Sequence, residues 1–177
     1  MTRDDLRRFQ GLDIDFSAIG LMPQENFAYF CTPVNAEYVG WVGCDGIHFI
    51  LLPGDERVFC VDPSMEYSDE YVLLVGGNFR EFLSFVLYCR GADRLSQIHW
   101  MDKEQFCQSL KDDEEWVRKD EGLWLRRNTA LAAITREFDL VPADPFETVK
   151  ALQAGFDPSV LKFSDEYYDV LGLERPR

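Results

Sequence analysis

The sequence predicts an α+β fold: a mostly antiparallel sheet of four to six strands, packed on one side by helices, with a helical C-terminal half. Three observations carry this expectation. Four short β-rich runs follow one another between residues 37 and 75 across tight or modest turns, whereas parallel strands would need crossovers of a dozen or more residues. At Gly76-Gly77-Asn78 the apolar period switches from two to that of a helix. Beyond that point helix-start residues precede apolar stripes several times over. The chain reads as one domain over residues 1–177, sheet-rich over 1–76 and helical over 78–172.

Residues 1–36 give mixed signals. Asp13 to Ile19 combines alternation with turn formers, and Met22-Pro23 and Thr32-Pro33 break any helix. The first strand is Glu37 to Val42 and the second Ile47 to Leu52; the turn between them ends in Asp45-Gly46, a hairpin signal. Pro53 to Glu56 turns the chain into a third strand, Arg57 to Val61. A polar loop opening at Asp62-Pro63-Ser64 leads to the fourth, Glu70 to Val75.

Asn78 is a good N-cap with Glu81 three residues on. Phe79, Phe82, Leu83, Val86 and Leu87 recur at helical spacing, and Gly91 supplies a stop. Ala92 to Trp100 is a short second helix with Leu95 and Ile98 inward. Asp102 caps a third, in which Phe106 and Leu110 are apolar and Lys111 to Glu115 form a solvated face that Gly122 interrupts. Leu131, Ile134 and Phe138 mark a fourth helix ending before Pro142. Asp144-Pro145-Phe146-Glu147 places an N-cap, a first-turn proline and an acid in order. Asp157-Pro158 opens a short turn of helix, and Ser164 to Leu171 forms the last, before Gly172.

Composition narrows the function. Hydrophobic residues make up 46% of the 177 and aromatics 14%, enough to fill a core. Acids outnumber bases 32 to 18, a net charge of −14 that repels phosphate backbones and anionic membranes. Neither nucleic acid nor membrane is expected as a partner; the charge favours a basic protein or serves only to keep the chain soluble. The charged opening, without a signal-like apolar run, and five scattered cysteines (Cys31, Cys44, Cys60, Cys89, Cys107) outside any Cys-x-x-Cys spacing fit reduced thiols in the cytoplasm.

Motifs for chemistry are few. Cys44 and His48 lie close in sequence, a thiol–imidazole pair if their side chains meet, but no third, orienting residue stands out. The plainer expectation for His48 is a half-buried strand histidine, and for His99 a cation at a helix end. Cysteine and histidine spacings match no zinc signature, and Asp112 to Glu115 lacks the alternating oxygen ligands of a calcium loop. Gly76-Gly77 turns a strand into a helix without the Lys or Ser/Thr of a phosphate-binding loop. No catalytic residue, cofactor or metal is assigned. One charged region stands out: Asp45, Asp55, Glu56, Asp62, Glu66, Asp69 and Glu70 face a single base, Arg57, between residues 44 and 70. Meander turns gather at sheet ends, so several of these carboxylates can share one edge, either to meet a partner there or simply as solubilising turn residues.

From Gly40 to Gly91 the chain resembles the SMI1/KNR4-like (SUKH) superfamily. The resemblance rests on Trp41-Val-Gly-Cys-Asp-Gly46, on Val58-Phe-Cys-Val-Asp62, and on Val75-Gly-Gly-Asn-Phe-Arg-Glu-Phe-Leu83. It implies an α+β fold without catalytic residues and a binding role, commonly immunity, in which a toxin is neutralised in the cytoplasm. The expected function is therefore non-enzymatic protein binding. A small enzyme using Cys44 and His48, and a regulatory scaffold for an endogenous partner, are the alternatives.

Overall fold

Side-chain alternation along the strands decides the architecture. In the computed structural model, which describes residues 2–23, 28–65 and 70–175, β1 (Glu37–Trp41), β2 (His48–Leu51), β3 (Val58–Val61) and β4 (Val72–Gly76) form an antiparallel meander. Four strands is the lower bound of the expected range. Phe49, Leu51, Val58 and Cys60 point to one face, Ile50, Phe59 and Val61 to the other, and all are buried. A strand buried on both faces reads as an unbroken apolar run rather than an alternating one, which is how β2 and β3 look in sequence. The expectation of helices on one side only is corrected: both faces are covered.

The first face carries the larger core. α2 (Phe79–Cys89) lays Phe79, Phe82, Leu83 and Val86 across it, all fully buried, and the Phe82 ring meets that of Phe49 at 5.2 Å. Asn78 caps α2 by accepting from the Glu81 N–H at 3.0 Å. The Glu81 carboxylate in turn accepts from the Gly77 N–H, so the glycine turn is filled by the chain's own anion. A side chain at Gly76 would come within 3.0 Å of Phe82 Cβ, which is why the residue there is glycine.

A helix also occupies the start of the chain, where the sequence gives mixed signals within a half expected to be sheet-rich. α1 (Thr2–Gln10) buries only Leu6 and Phe9 among its apolar residues, too sparse a stripe to register as a period. Asp5 is buried because Arg80, 2.8 Å away, and Arg8, 3.2 Å away, pair with it.

Three further expectations on this side are corrected. α2 ends through Arg90, not Gly91, in the left-handed region at φ 60°, a conformation costly for a residue with a Cβ. Tertiary contacts hold it there: the guanidinium lies 4.9 Å from the Trp124 ring and pairs with Glu114. Nor does Gly122 interrupt a helix. α3 (Lys103–Arg118) stops first, Asp120 caps the next helix by accepting from the Leu123 N–H at 2.9 Å, and Gly122 sits in the first turn of α4 (Glu121–Phe138). The supposed solvated face of α3 is half turned inward. Asp113 takes an ion pair from Arg127, itself buried and donating to the Ala18 carbonyl at 2.9 Å, and lies 3.6 Å from Arg94.

The second face is covered by residues 28–36 and by the C-terminal chain: α5 (Phe146–Ala154), a 3₁₀ turn at Pro158–Val160 and α6 (Asp165–Leu171). α5 begins one residue later than its motif suggests. Pro145 takes the cap position, and Asp144 accepts from the Phe146 N–H at 3.0 Å while pairing with Lys103. No helix among the described residues is long and apolar enough to cross a membrane.

Candidate functional site

β4 is the last strand of the meander, so among the described residues its outer side pairs with no other strand. The chain returns to that side as α5, where Gln153 Nε2 donates to the Leu74 carbonyl at 3.1 Å. Gly155 ends α5, and Asp157 accepts from the Ser159 N–H at 3.0 Å, bending the chain into the 3₁₀ turn. The chain then runs past Leu161 and Phe163 into α6, where Phe163 stacks on Tyr167 with centroids 3.9 Å apart.

These elements frame a cleft of about 770 Å³, the largest described cavity and within the usual range for ligand pockets. Its floor is Tyr71 to Leu74. Phe156, Leu161, Phe163 and Tyr167 form apolar walls, and Glu70, His99, Lys150 and Asp157 supply the charged and polar positions. Lys150 donates to the His99 carbonyl at 2.9 Å. His99 was expected as a cation at a helix end; instead burial holds its imidazole pKa below the ordinary value, against the hydrogen bond from its Nδ1 to the Ser96 carbonyl.

The acidic residues separate by topology. Successive turns of a meander alternate between the two ends of the sheet. The β1–β2 and β3–β4 connections bring Asp45, Asp62 and Glu70 to one end, whereas Asp55 and Glu56 lie in the β2–β3 turn at the other. Glu66 and Asp69 lie outside the described residues. Asp45 and Glu70 are exposed, but Asp62 is buried and turns its carboxylate onto the Ser64 N–H at 2.9 Å and hydroxyl at 2.6 Å. At the far end Asp55 holds Arg57 at 2.7 Å. Burial opposes ionisation of Asp55, yet the hydrogen bonds from Arg57 keep its carboxyl below the usual range. Glu56 accepts from the Thr2 N–H at 2.9 Å. The single acidic edge expected from sequence is therefore two ends, and the far one is tied up within the fold.

The thiol–imidazole pair does not form. His48 is fully buried rather than half-buried. Its Nδ1 lies 2.7 Å from the Gly46 carbonyl, which can only accept, so Nδ1 carries the proton and Nε2 accepts from the Thr32 hydroxyl at 3.1 Å. The ring stacks on Tyr29 at 5.6 Å. Burial keeps its pKa below the ordinary value. Cys44 is exposed in the turn, and desolvation together with Asp45 pushes its thiol up, away from the thiolate. All five cysteines are free; Cys31, Cys60 and Cys89 are buried, with Cys31 pushed up to about 12 by desolvation. Among the described residues no three His, Cys, Asp or Glu side chains are grouped to hold a metal ion.

Sequence reasoning missed the cleft. Its walls come from connections, where Phe156, Leu161 and Phe163 follow no helical or strand period. The available signal was the surplus of large apolar residues in segments with turn formers. No family model, curated protein or solved structure matches the chain.

Proposed function

We propose that this chain is a non-enzymatic binding protein that holds a basic protein partner in the cleft beside β4. The cleft carries the reading: it joins apolar aromatic walls to a few charged groups in its lining, the combination by which binding sites supply both area and orientation. The exposed carboxylates of Asp45 and Glu70 at the same end of the sheet, on a chain of net charge −14, would steer a cationic partner and raise its on-rate. The resemblance to SMI1/KNR4-like proteins points to the same class of role, with toxin neutralisation as its most specific form. The enzyme alternative loses support from His48, both of whose ring nitrogens are engaged inside the fold.

Plugging the cleft tests this reading. Ala154 is exposed and lines the cleft, so Ala154→Trp fills space without disturbing a core. A random peptide library is panned on the parent protein, and the selected peptides are titrated against parent and variant. Selected peptides rich in Lys and Arg that bind the parent and lose affinity for the variant support the reading. Failure to select any peptide, or equal affinity for both proteins, overturns it.

A further inference from the structure

The two histidines differ in what their rings leave available. His48 uses both nitrogens inside the fold. His99 uses one. Its Nδ1 lies 3.0 Å from the Ser96 carbonyl, which can only accept, so Nδ1 carries the proton and Nε2 keeps a lone pair. Among the described residues nothing bonds that lone pair, and Nε2 is not one of the buried polar atoms left without a partner. It therefore reaches the surface, and the cavity that this half-buried residue lines is the cleft. Burial and Lys150 from α5 favour the neutral ring, outweighing Asp62 and Glu70 from the β3–β4 connection.

Lys150 stands beside this acceptor. Its Nζ donates to the backbone carbonyl of His99 itself at 2.9 Å and lies 5.5 Å from the Phe146 ring centroid. An ammonium carries three N–H groups, so it can donate again. A neutral acceptor and a cationic donor thus share one part of a cleft whose walls are largely rings. Phe163 stacks on Tyr167 with their planes 11° apart, and Phe156 meets Phe59 at 5.5 Å.

From this geometry we infer that the cleft anchors its partner by a tyrosine side chain. The phenol donates to His99 Nε2 and accepts from Lys150 Nζ, while its ring packs on the aromatic walls. The inference rests on the binding role proposed above and names the group recognised. Other head groups fit less well. A cation placed at His99 meets the Lys150 ammonium. A carboxylate accepts from Lys150 but sets its own lone pairs against that of the neutral imidazole. Tyrosine joins an aromatic ring to a single atom that both donates and accepts. A cleft of about 770 Å³ exceeds one ring and admits the residues flanking it, and the net charge of −14 favours basic ones.

A blocked peptide Lys-Gly-Tyr-Gly-Lys is the probe, titrated by NMR beside versions carrying Phe or 4-carboxyphenylalanine in place of Tyr. The chain has two histidines, so the His99 ring signals can be followed directly and should shift with the Tyr peptide. At pH 7.5 the Tyr peptide should bind about fivefold or more tighter than the Phe peptide, because Phe leaves both polar groups unanswered. As pH falls below about 6.5, Nε2 takes up a proton and stops accepting. The advantage of Tyr over Phe should then shrink and the carboxylate peptide should gain. His99→Phe should abolish the preference and its pH dependence, and Ala154→Trp should weaken all three peptides. Equal affinity for the Tyr and Phe peptides overturns the anchor, as does a preference unchanged at acid pH; both are read on the unaltered protein. So does a preference that persists in His99→Phe. Library-selected peptides that lack tyrosine yet depend on Ala154 overturn the anchor and leave the binding role standing. If neither these peptides nor any selected one binds, the binding role itself fails.

Discussion

The two faces of this sheet are built from the same kinds of side chain and finished differently. On the first, helices α1, α2 and α4 close over a core in which Phe9, Phe49, Phe79, Phe82 and Phe138 are all buried. On the second, Phe59, Tyr71 and Tyr167 pack among connections and the short helices α5 and α6, and a cleft remains along β4. A regular helix carries a continuous apolar stripe that fills the groove it covers; an irregular chain covers apolar surface residue by residue and leaves space between. The contrast teaches that a closed face and a face with a cleft can share one sheet, and it can be broken by experiment.

The largest effect is expected at Phe82, at the centre of the first face. Phe82→Ala should cost about 3–5 kcal/mol, the range for truncating a fully buried aromatic, read from urea unfolding. A cost near 1 kcal/mol would mean that this face is no better filled than the other.

Next comes the ionic cluster at the rim of the first face. Asp113→Ala leaves Arg127 buried without its partner and should cost about 3 kcal/mol or somewhat more. The double variant Asp113→Leu with Arg127→Met removes both charges and should recover much of that loss. Glu114 is a weaker handle: its Oε2 lies 2.8 Å from Arg90 Nε but is not aligned for a hydrogen bond. A double variant as unstable as the single would show that the cluster supplies packing rather than charge compensation.

The second face should be more forgiving. Tyr167→Ala removes the ring stacked on Phe163, but its side wall is already open to the cleft, so the cost should fall to about 2 kcal/mol, below the closed-core range. The same variant should weaken any cleft ligand, whereas Phe82→Ala should leave affinity unchanged in the folded fraction. If Tyr167→Ala costs as much as Phe82→Ala, the faces are one cooperative core.

The smallest effect is a pH dependence carried by the second face, which holds both histidines. Burial lowers the folded-state pKa of His48 and of His99 below the ordinary value. The unfolded chain then binds protons more readily, so stability is full above about 6.5 and declines as pH falls below it. Lowered carboxyls such as Asp15 and Asp144 act at more acid pH, below about 4, and do not blur this window. His48→Gln should flatten the decline, with His99 responsible for the remainder. An unchanged slope would mean that His48 is solvated in the native state.

Much of the fold was legible in the sequence because it rests on local chemistry. Asp45-Gly46 with left-handed backbone makes the first hairpin turn, and Asn78, Asp102 and Asp157 cap what they were expected to cap. The stripe from Phe79 to Leu87 has a single period and a single place to go. The acidic imbalance was also legible, though its division between two sheet ends was not, since that depends on which strand each turn follows. Tertiary structure alone decided the rest. A left-handed Arg90 is paid for by Trp124 and Glu114, distant in sequence. Asp113 looks solvated until Arg127 arrives from the next helix. The cleft exists because α5 and the turn after Asp157 return to an edge that β4 acquires only by being last in the sheet. A residue's own backbone preference and period are written in its neighbours along the chain. What closes an edge, neutralises a charge or leaves a space depends on residues that only folding brings near.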